Sequence, residues 1–253
     1  MCHSPSRGAS QHSSNYSRQR LPLELDVMNS TLHQTDDFKK KLGEALRHNT
    51  VQFARARIRK HQNIYHLGDV AKGVYAIESG QIKLLTLSQG GKECLLAILT
   101  AGDMFGESCL SGSTTRQETA MAMEDTTLTH IPCANFFSHL SQNSLLEGFV
   151  HYLAARLRDQ QRVIANLVTV NSEHRLGETL LDLAYKLGQP HSHHTRIEQK
   201  ITHEELSEMV GTTRPRITKF MRKFRGLGLI ETSAERSLIV KHKELSEYLT
   251  RII

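Results

Sequence analysis

The stretch Ile201–Ile230, ITHEELSEMVGTTRPRITKFMRKFRGLGLI, constrains the fold more than any other part of this chain. It reads as two short helices joined by a tight turn at Gly211. Leu206, Met209 and Val210 give the first helix its apolar side. Ile217, Phe220, Met221 and Phe224 fall three to four apart in the second and so share one helical face. Arg216, Lys219, Arg222 and Lys223 lie opposite that face. No carboxylate occurs between Glu208 and Glu231, whereas Arg214, Arg216, Lys219, Arg222, Lys223 and Arg225 supply six positive charges. Thr212 or Thr213 suits the N-cap of the second helix, and Pro215 fits its first turn, where a missing N–H costs nothing.

A short amphipathic helix with a basic, acid-free outer face, propped by a preceding helix, suits the major groove of DNA. A surface helix with a solvated charge run is the plainer reading of the same residues. The residues after Gly228 favour the groove. Leu229–Thr232, a polar turn over 233–236 and Leu238–Val240 read as strand–turn–strand, the wing of a winged helix-turn-helix.

A net charge of +6 over 253 residues, with a pI near 9.2, is compatible with a polyanionic partner without requiring one. No apolar run approaches the ~18 residues of a membrane span, and the N-terminus lacks the hydrophobic core of a signal peptide. Cys2, Cys94, Cys109 and Cys133 show neither C-x-x-C nor metal-ligand spacing. Together these predict a soluble, reduced, cytoplasmic protein without membrane partners.

Residues 1–27, rich in Ser, Arg, Gln and His, are expected to form a disordered tail, and Met28 is a candidate start. Residues 36–50 read as a short amphipathic helix. From about 51 to 135, short apolar and β-branched runs alternate with glycine turns: Ile64–His66, Val74–Ile77, Ile82–Leu87, Cys94–Leu99, Ala120–Met123 and Thr127–Ile131. Turn signals at that spacing predict an antiparallel barrel or jelly roll, able to hold one small ligand or to be filled by side chains.

Leu146, Val150, Leu153, Leu157, Gln160, Ile164, Leu167 and Asn171 come next, at alternating spacings of four and three. This is a heptad seam, and it predicts a parallel homodimer zipped along one long helix. An ordinary buried helix is the alternative. Gln160 in mid-seam must be hydrogen-bonded if buried, to its twin or to a ligand in the barrel. A further helix is expected over about 175–187, with Leu176, Leu180, Leu183, Ala184 and Leu187 as its apolar face. Gly188-Gln-Pro190 ends it, and HSHH (191–194) reads as a solvated loop rather than a metal site.

The order of parts resembles the catabolite-activator / fumarate–nitrate-regulator (CRP/FNR) family of bacterial transcription regulators. The motifs that carry the resemblance are VYAIESGQIKLL (74–85), GGKECLLAILTAGDMFGE (90–107) and ITHEELSEMVGTTRPRITK (201–219), and it covers about residues 30–250. The resemblance implies an α+β architecture. It divides the chain into a β-roll sensor domain over 28–142, a dimerisation helix over 143–171 and a winged helix-turn-helix over 172–253. It also implies a homodimer on a near-palindromic operator, touching RNA polymerase if it activates. Arg214 aligns with the family's base-contacting arginine, whose guanidinium can fork onto guanine O6 and N7. Lys219 stands where cyclic-AMP regulators carry a second arginine, and it lacks that fork. Pro215 replaces the usual glutamate, which puts the standard half-site in doubt. Thr202, Thr212 and Thr213 are candidate phosphate or base contacts, and Arg216 and Lys223 candidate phosphate contacts.

For the sensor, the resemblance points to a nucleotide-like effector but matches the cyclic-AMP pattern poorly. Gly106 and Glu107 are present, and Glu107 could accept from a ribose hydroxyl. The Arg-Ser pair that grips the phosphate aligns with Glu118-Thr119, where a carboxylate would repel it. Arg116, two residues earlier, is the substitute cation. Gln160-Gln161 replace the adenine-reading Thr-Ser pair. An iron–sulfur cluster would need an N-terminal cysteine set that Cys2 alone cannot supply. A thiol switch at Cys94, Cys109 or Cys133 is conceivable, but small buried hydrophobes are the preferred reading. No catalytic residues and no metal ligands are assigned, since no phosphate loop, nucleophile elbow or paired acids occur. A small-molecule-binding protein whose helix-turn-helix makes protein contacts is the alternative. An enzyme regulated by its β-roll is a third, opposed by the absence of room for a catalytic domain after the long helix.

Overall fold

The glycine-punctuated strands pair into two four-stranded antiparallel sheets. One runs in the order β1 (Ala54–Ile58), β8 (Thr126–Pro132), β3 (Gly73–Ser79), β6 (Met104–Phe105). The other runs β2 (Asn63–Tyr65), β7 (Thr119–Ala122), β4 (Gln81–Leu87), β5 (Glu93–Thr100). The computed structural model describes residues 35–47, 53–87, 91, 93–191 and 194–252. The expected tail 1–27, Met28 and Cys2 lie outside them. Inward-facing Ile77, Ile82, Leu84, Leu99, Phe105 and Leu128 close the space between the sheets into a β-roll. Strands β1 and β6 are additions to the expected set. β1, ARARI, exposes its first four residues and is defined by its pairing with β8 rather than by burial.

Helices cover the outer face of the first sheet. In α1 (35–47), Phe38, Leu42 and Leu46 recur every four residues and are buried. They pack with Phe136 and Leu140 of α2 (Cys133–Gln142) and with Phe149 and Tyr152 of α3 (Leu146–Thr169). Helix α2 is likewise an addition.

Only the first turns of α3 are anchored this way. Of the heptad seam, Leu153 leans on the chain's own core. Val150, Leu157 and Ile164 remain 61, 56 and 62% exposed, and Leu146 and Leu167 are exposed as well. An ordinary buried helix does not leave such a stripe in water.

Asn171 then caps α4 (Ser172–Leu187), its side chain accepting from the Glu173 and His174 N–H groups. Next come α5 (His203–Val210), α6 (Arg214–Gly226), and α7 (His242–Arg251), the last a further addition. Leu176, Leu180, Leu206, Ile217, Phe224 and Leu245 form the core of this C-terminal unit. The expected wing is β11 (Ile230–Thr232) and β12 (Leu238–Val240). It is widened by an unforeseen hairpin, β9 (Gly188–Pro190) with β10 (Thr195–Ile197), in the order β11-β12-β10-β9. Of the HSHH tract, His191 and His194 stack 5.0 Å apart beside that hairpin, and 192–193 lie outside the described residues. No group of His, Cys, Asp or Glu among the described residues is arranged to hold a metal. No helix among them is long and apolar enough to cross a membrane.

The helix-turn-helix is tied to both other parts. Lys83 of β4 pairs with Glu205 of α5 at 3.0 Å, beside an apolar contact that includes Leu85, Leu95 and Ile98. Arg162 of α3 pairs with Asp182 of α4 at 3.1 Å. Arg175 donates to the Val170 carbonyl at 2.8 Å and to the Val210 carbonyl at 2.9 Å, bridging the C-terminal ends of α3 and α5.

Burial disfavours the Glu205 charge, but the Thr202 N–H and Lys83 outweigh it and hold the carboxyl below its ordinary value. A depressed carboxylate stabilises above its unfolded value and stops doing so as pH falls. The Lys83–Glu205 contact should therefore hold at neutral pH, persist through the ordinary carboxylate range and be lost only as pH falls below it. Glu208, raised by burial and by Glu93 and Glu204, protonates earlier, which relieves that repulsion and gives up a weaker attraction to Lys83. Proteolysis at the 170–172 joint should accelerate on acidification in the native chain. In Lys83→Met it should be fast throughout.

Candidate nucleic-acid interface and sensor site

Helix α5 begins at Thr202 with a capping box. The Thr202 hydroxyl accepts from the Glu205 N–H at 3.2 Å, and Glu205 accepts from the Thr202 N–H at 2.9 Å. It ends at Gly211, whose φ of 65° is left-handed and reverses the chain within one residue. Helix α6 starts at Thr213, with Pro215 in its first turn, and buries Ile217, Met221 and Phe224. Phe220 is half-buried. That anchoring turns Arg214, Arg216, Lys219 and Arg222 into solvent, and none of them pairs with a carboxylate among the described residues. Thr213 makes no capping bond and is exposed beside Arg214, whereas Thr212 is half-buried in the turn.

Two expected DNA contacts look different in three dimensions. The Thr202 hydroxyl is engaged in its capping box, so it is a weaker candidate than its position indicated. Lys223 pairs with Glu173 of α4 at 2.7 Å, and Glu173 also accepts from Tyr248. A carboxylate fifty residues away thus reaches a face that the local sequence leaves acid-free. His203, which the sequence does not single out, meets Thr218 of α6 at 2.9 Å through Nδ1. Burial, then Arg225 and Arg214, lower its pKa and favour the neutral ring.

The sensor site is filled from within. Arg116 is 2% exposed. Its guanidinium donates to the Gly106 carbonyl at 2.7 Å and to the Gly73 carbonyl at 2.6 Å. It lies 4.3 Å from the centre of the Tyr65 ring and 5.4 Å from that of Tyr75, which stacks on Phe105. Tyr65 donates to Glu118 at 2.6 Å, and burial together with that bond pushes its pKa far up. Thr119 accepts from the Leu67 N–H at 3.0 Å. Glu107 pairs with Arg156 of α3 at 2.8 Å. Arg156 also donates to the Met104 carbonyl at 3.0 Å.

The expected ligand set is corrected accordingly. Arg116 meets Gly106 and Glu107 follows it in the chain, but both terminal nitrogens of Arg116, the Glu107 carboxylate and the Thr119 hydroxyl are engaged by the protein itself; the buried Arg116 Nε alone has no hydrogen-bond partner among the described residues. Gln160 and Gln161 are exposed on α3 and make no hydrogen bond to the β-roll among the described residues. A cyclic nucleotide needs a cation facing its phosphate. Here the cation points inward and a carboxylate stands nearby, so these residues do not fit that ligand.

Arg116→Met should leave two buried carbonyls unpaired and destabilise the fold by about 1–3 kcal/mol for each, measured by urea unfolding. Calorimetry of the native chain with cyclic AMP should show no micromolar binding. Such binding would mean that Arg116 leaves its carbonyls to take the phosphate.

The preferred reading of the cysteines is overturned in part. Cys109 and Cys133 are joined in a disulfide rather than standing as two separate small hydrophobes. Cys94 is free and half-buried.

Comparison with known proteins agrees with this architecture. Residues 55–143 match the family model of the cyclic nucleotide-binding domain, and residues 174–248 match that of the Crp-like helix-turn-helix domain. Electron transport regulator A of Shewanella oneidensis is 28% identical over 191 residues, covering 75% of this chain and 76% of that protein. The cAMP-activated global transcriptional regulator CRP of Pasteurella multocida is 28% identical, covering 66% of this chain and 80% of that one. Among solved structures, a CooA variant from Carboxydothermus hydrogenoformans superposes with a TM-score of 0.65 at 27% identity. It covers 79% of this chain and 88% of that chain. The chain belongs to the CRP/FNR family of transcription regulators. It carries the family's DNA-binding helix-turn-helix and its cyclic nucleotide-binding type of sensor fold.

Proposed function

We propose that two copies pair along α3 and present two α6 helices to successive major grooves of a near-palindromic operator. The observation that carries this reading is the pairing of two uncovered surfaces. One is the apolar stripe Val150, Leu157, Ile164 and Leu167. The other is the cationic face Arg214, Arg216, Lys219 and Arg222. Arg214 reads a base edge, with Thr213 beside it. Arg216, Lys219 and Arg222 hold phosphates, and Lys223 joins them only on leaving Glu173. The β-roll conveys a signal other than cyclic AMP through Glu107 and Arg156 to the dimer helix.

The test is selection of bound duplexes from random DNA, followed by a salt titration of the winner. Affinity should fall steeply with salt, by a slope of about −0.9 per phosphate contacted in log–log form. No preferred duplex and a flat salt response would favour a helix-turn-helix that makes protein contacts instead.

A further inference from the structure

Cys109 belongs to a 3-10 helix, Glu107–Ser111, and Cys133 is the first residue of α2. Their Cα atoms are 6.5 Å apart, across 24 residues of sequence. Both residues are half-buried, neither being sealed in the core. Cys133 stands in the first turn of α2, at the positive end of the helix dipole, with its own N–H donated to the Lys72 carbonyl at 3.2 Å.

The 3-10 helix packs lightly on the core. None of its five residues is fully buried, and Cys109 and Leu110 only lean on the core. It is bounded by Gly106 (φ 79°), buried and with its carbonyl held by Arg116, and by Gly112 (φ 85°), which has open space around its Cα. Two side-chain ties hold it: the disulfide to α2, and the Glu107–Arg156 ion pair to α3. Helices α2 and α3 are themselves locked by Phe136 on Phe149, 5.0 Å apart. A change at the cysteines is thus one ion pair from the dimer helix. The site where a nucleotide would act is meanwhile filled by Arg116.

We propose that Cys109 and Cys133 form a thiol–disulfide exchange site for low-molecular-weight disulfides, whose state sets how firmly the β-roll holds α3. This role rests on the reading of the β-roll as the sensing half of a dimeric DNA-binding regulator. Starting from the dithiol, the Cys133 thiolate attacks one sulfur of RSSR, breaking its S–S bond and releasing RS⁻. The Cys109 thiolate then attacks the Cys133 sulfur and releases the second RS⁻. The two cysteine protons end on the two thiolates. One RSSR is reduced to two RSH as two cysteine thiols are oxidised to one disulfide. The oxidised form keeps Glu107 on Arg156 and is the form that binds DNA. Reduction frees the 3-10 helix and loosens the pair.

The test uses the full chain with Cys2→Ser and Cys94→Ser, treated with oxidised glutathione or with reduced dithiothreitol. Trapping with iodoacetamide and peptide mass mapping should show a 109–133 cross-link in the first sample and two alkylated thiols in the second. Hydrogen exchange over 107–111 and 153–160 should be slower in the oxidised form. The selected operator should bind it about 5- to 150-fold more tightly. Cys109→Ser and Cys133→Ser should abolish both differences and behave as the reduced chain. Two thiols that stay alkylatable, or that carry glutathione singly, would overturn the proposal. So would identical hydrogen exchange in the two forms, or equal operator affinity. Should neither form bind any duplex while cross-link and exchange both respond, the exchange site stands and the DNA-binding reading falls.

Discussion

Replacing Leu157 and Ile164 by glutamate is expected to give a monomer that binds the operator about 100- to 10,000-fold more weakly. The two half-sites would then no longer be held at a shared high effective concentration. Both side chains are more than half exposed on the single chain, so the substitutions cost the protomer little. In the dimer they would set like charges against each other in an apolar seam. Leu153 is left intact, because it also packs on the β-roll core and its loss would confuse unfolding with dissociation. Sedimentation reads the mass, and circular dichroism the integrity of the fold. A variant that sediments as a dimer and binds the operator normally would reject the α3 interface.

Arg214→Ala is expected to weaken the best operator by about 1–3 kcal/mol in each half-site, so roughly 2–6 kcal/mol in a symmetric site, and to relax the preference at one base pair. Arg214 stands at the start of α6, where a recognition helix meets base edges. It has no carboxylate partner among the described residues to be drawn away from. Lys219→Ala provides the contrast. It should weaken all sequences alike and reduce the salt slope by about one per copy. Titrations of the operator and of single-base variants separate the two. An equal loss on every sequence would make Arg214 a phosphate contact.

Much of the fold was legible because its signals are periodic. The short apolar runs of β3, β4, β5 and β8 recur between turn signals, and the 3.6-residue repeat of α6 encodes which of its faces is buried. The heptad spacing of α3 was legible too, and the structure leaves the stripe it marks uncovered. Strand β1 carries no such signal, because four of its five residues are exposed and its partner β8 lies some seventy residues away. The hairpin β9–β10 is three residues a side and straddles a polar tract, so its pairing with β12 is what defines it.

The chain alone determined where the apolar faces of α3, α4 and α6 lie, that Gly211 would break α5 from α6, and that α6 would carry six cations without a local acid. Those properties follow from neighbours within a few residues, and near neighbours are all that periodicity reports. Only the folded protein decided which polar atoms remain available. Arg116 turned inward onto two carbonyls, Glu107 went to Arg156, Glu173 reached Lys223, and Cys109 met Cys133. Each of these partnerships joins segments far apart in sequence. Burial forces such groups to satisfy their hydrogen bonds and charges with whatever the packing brings within about 3 Å.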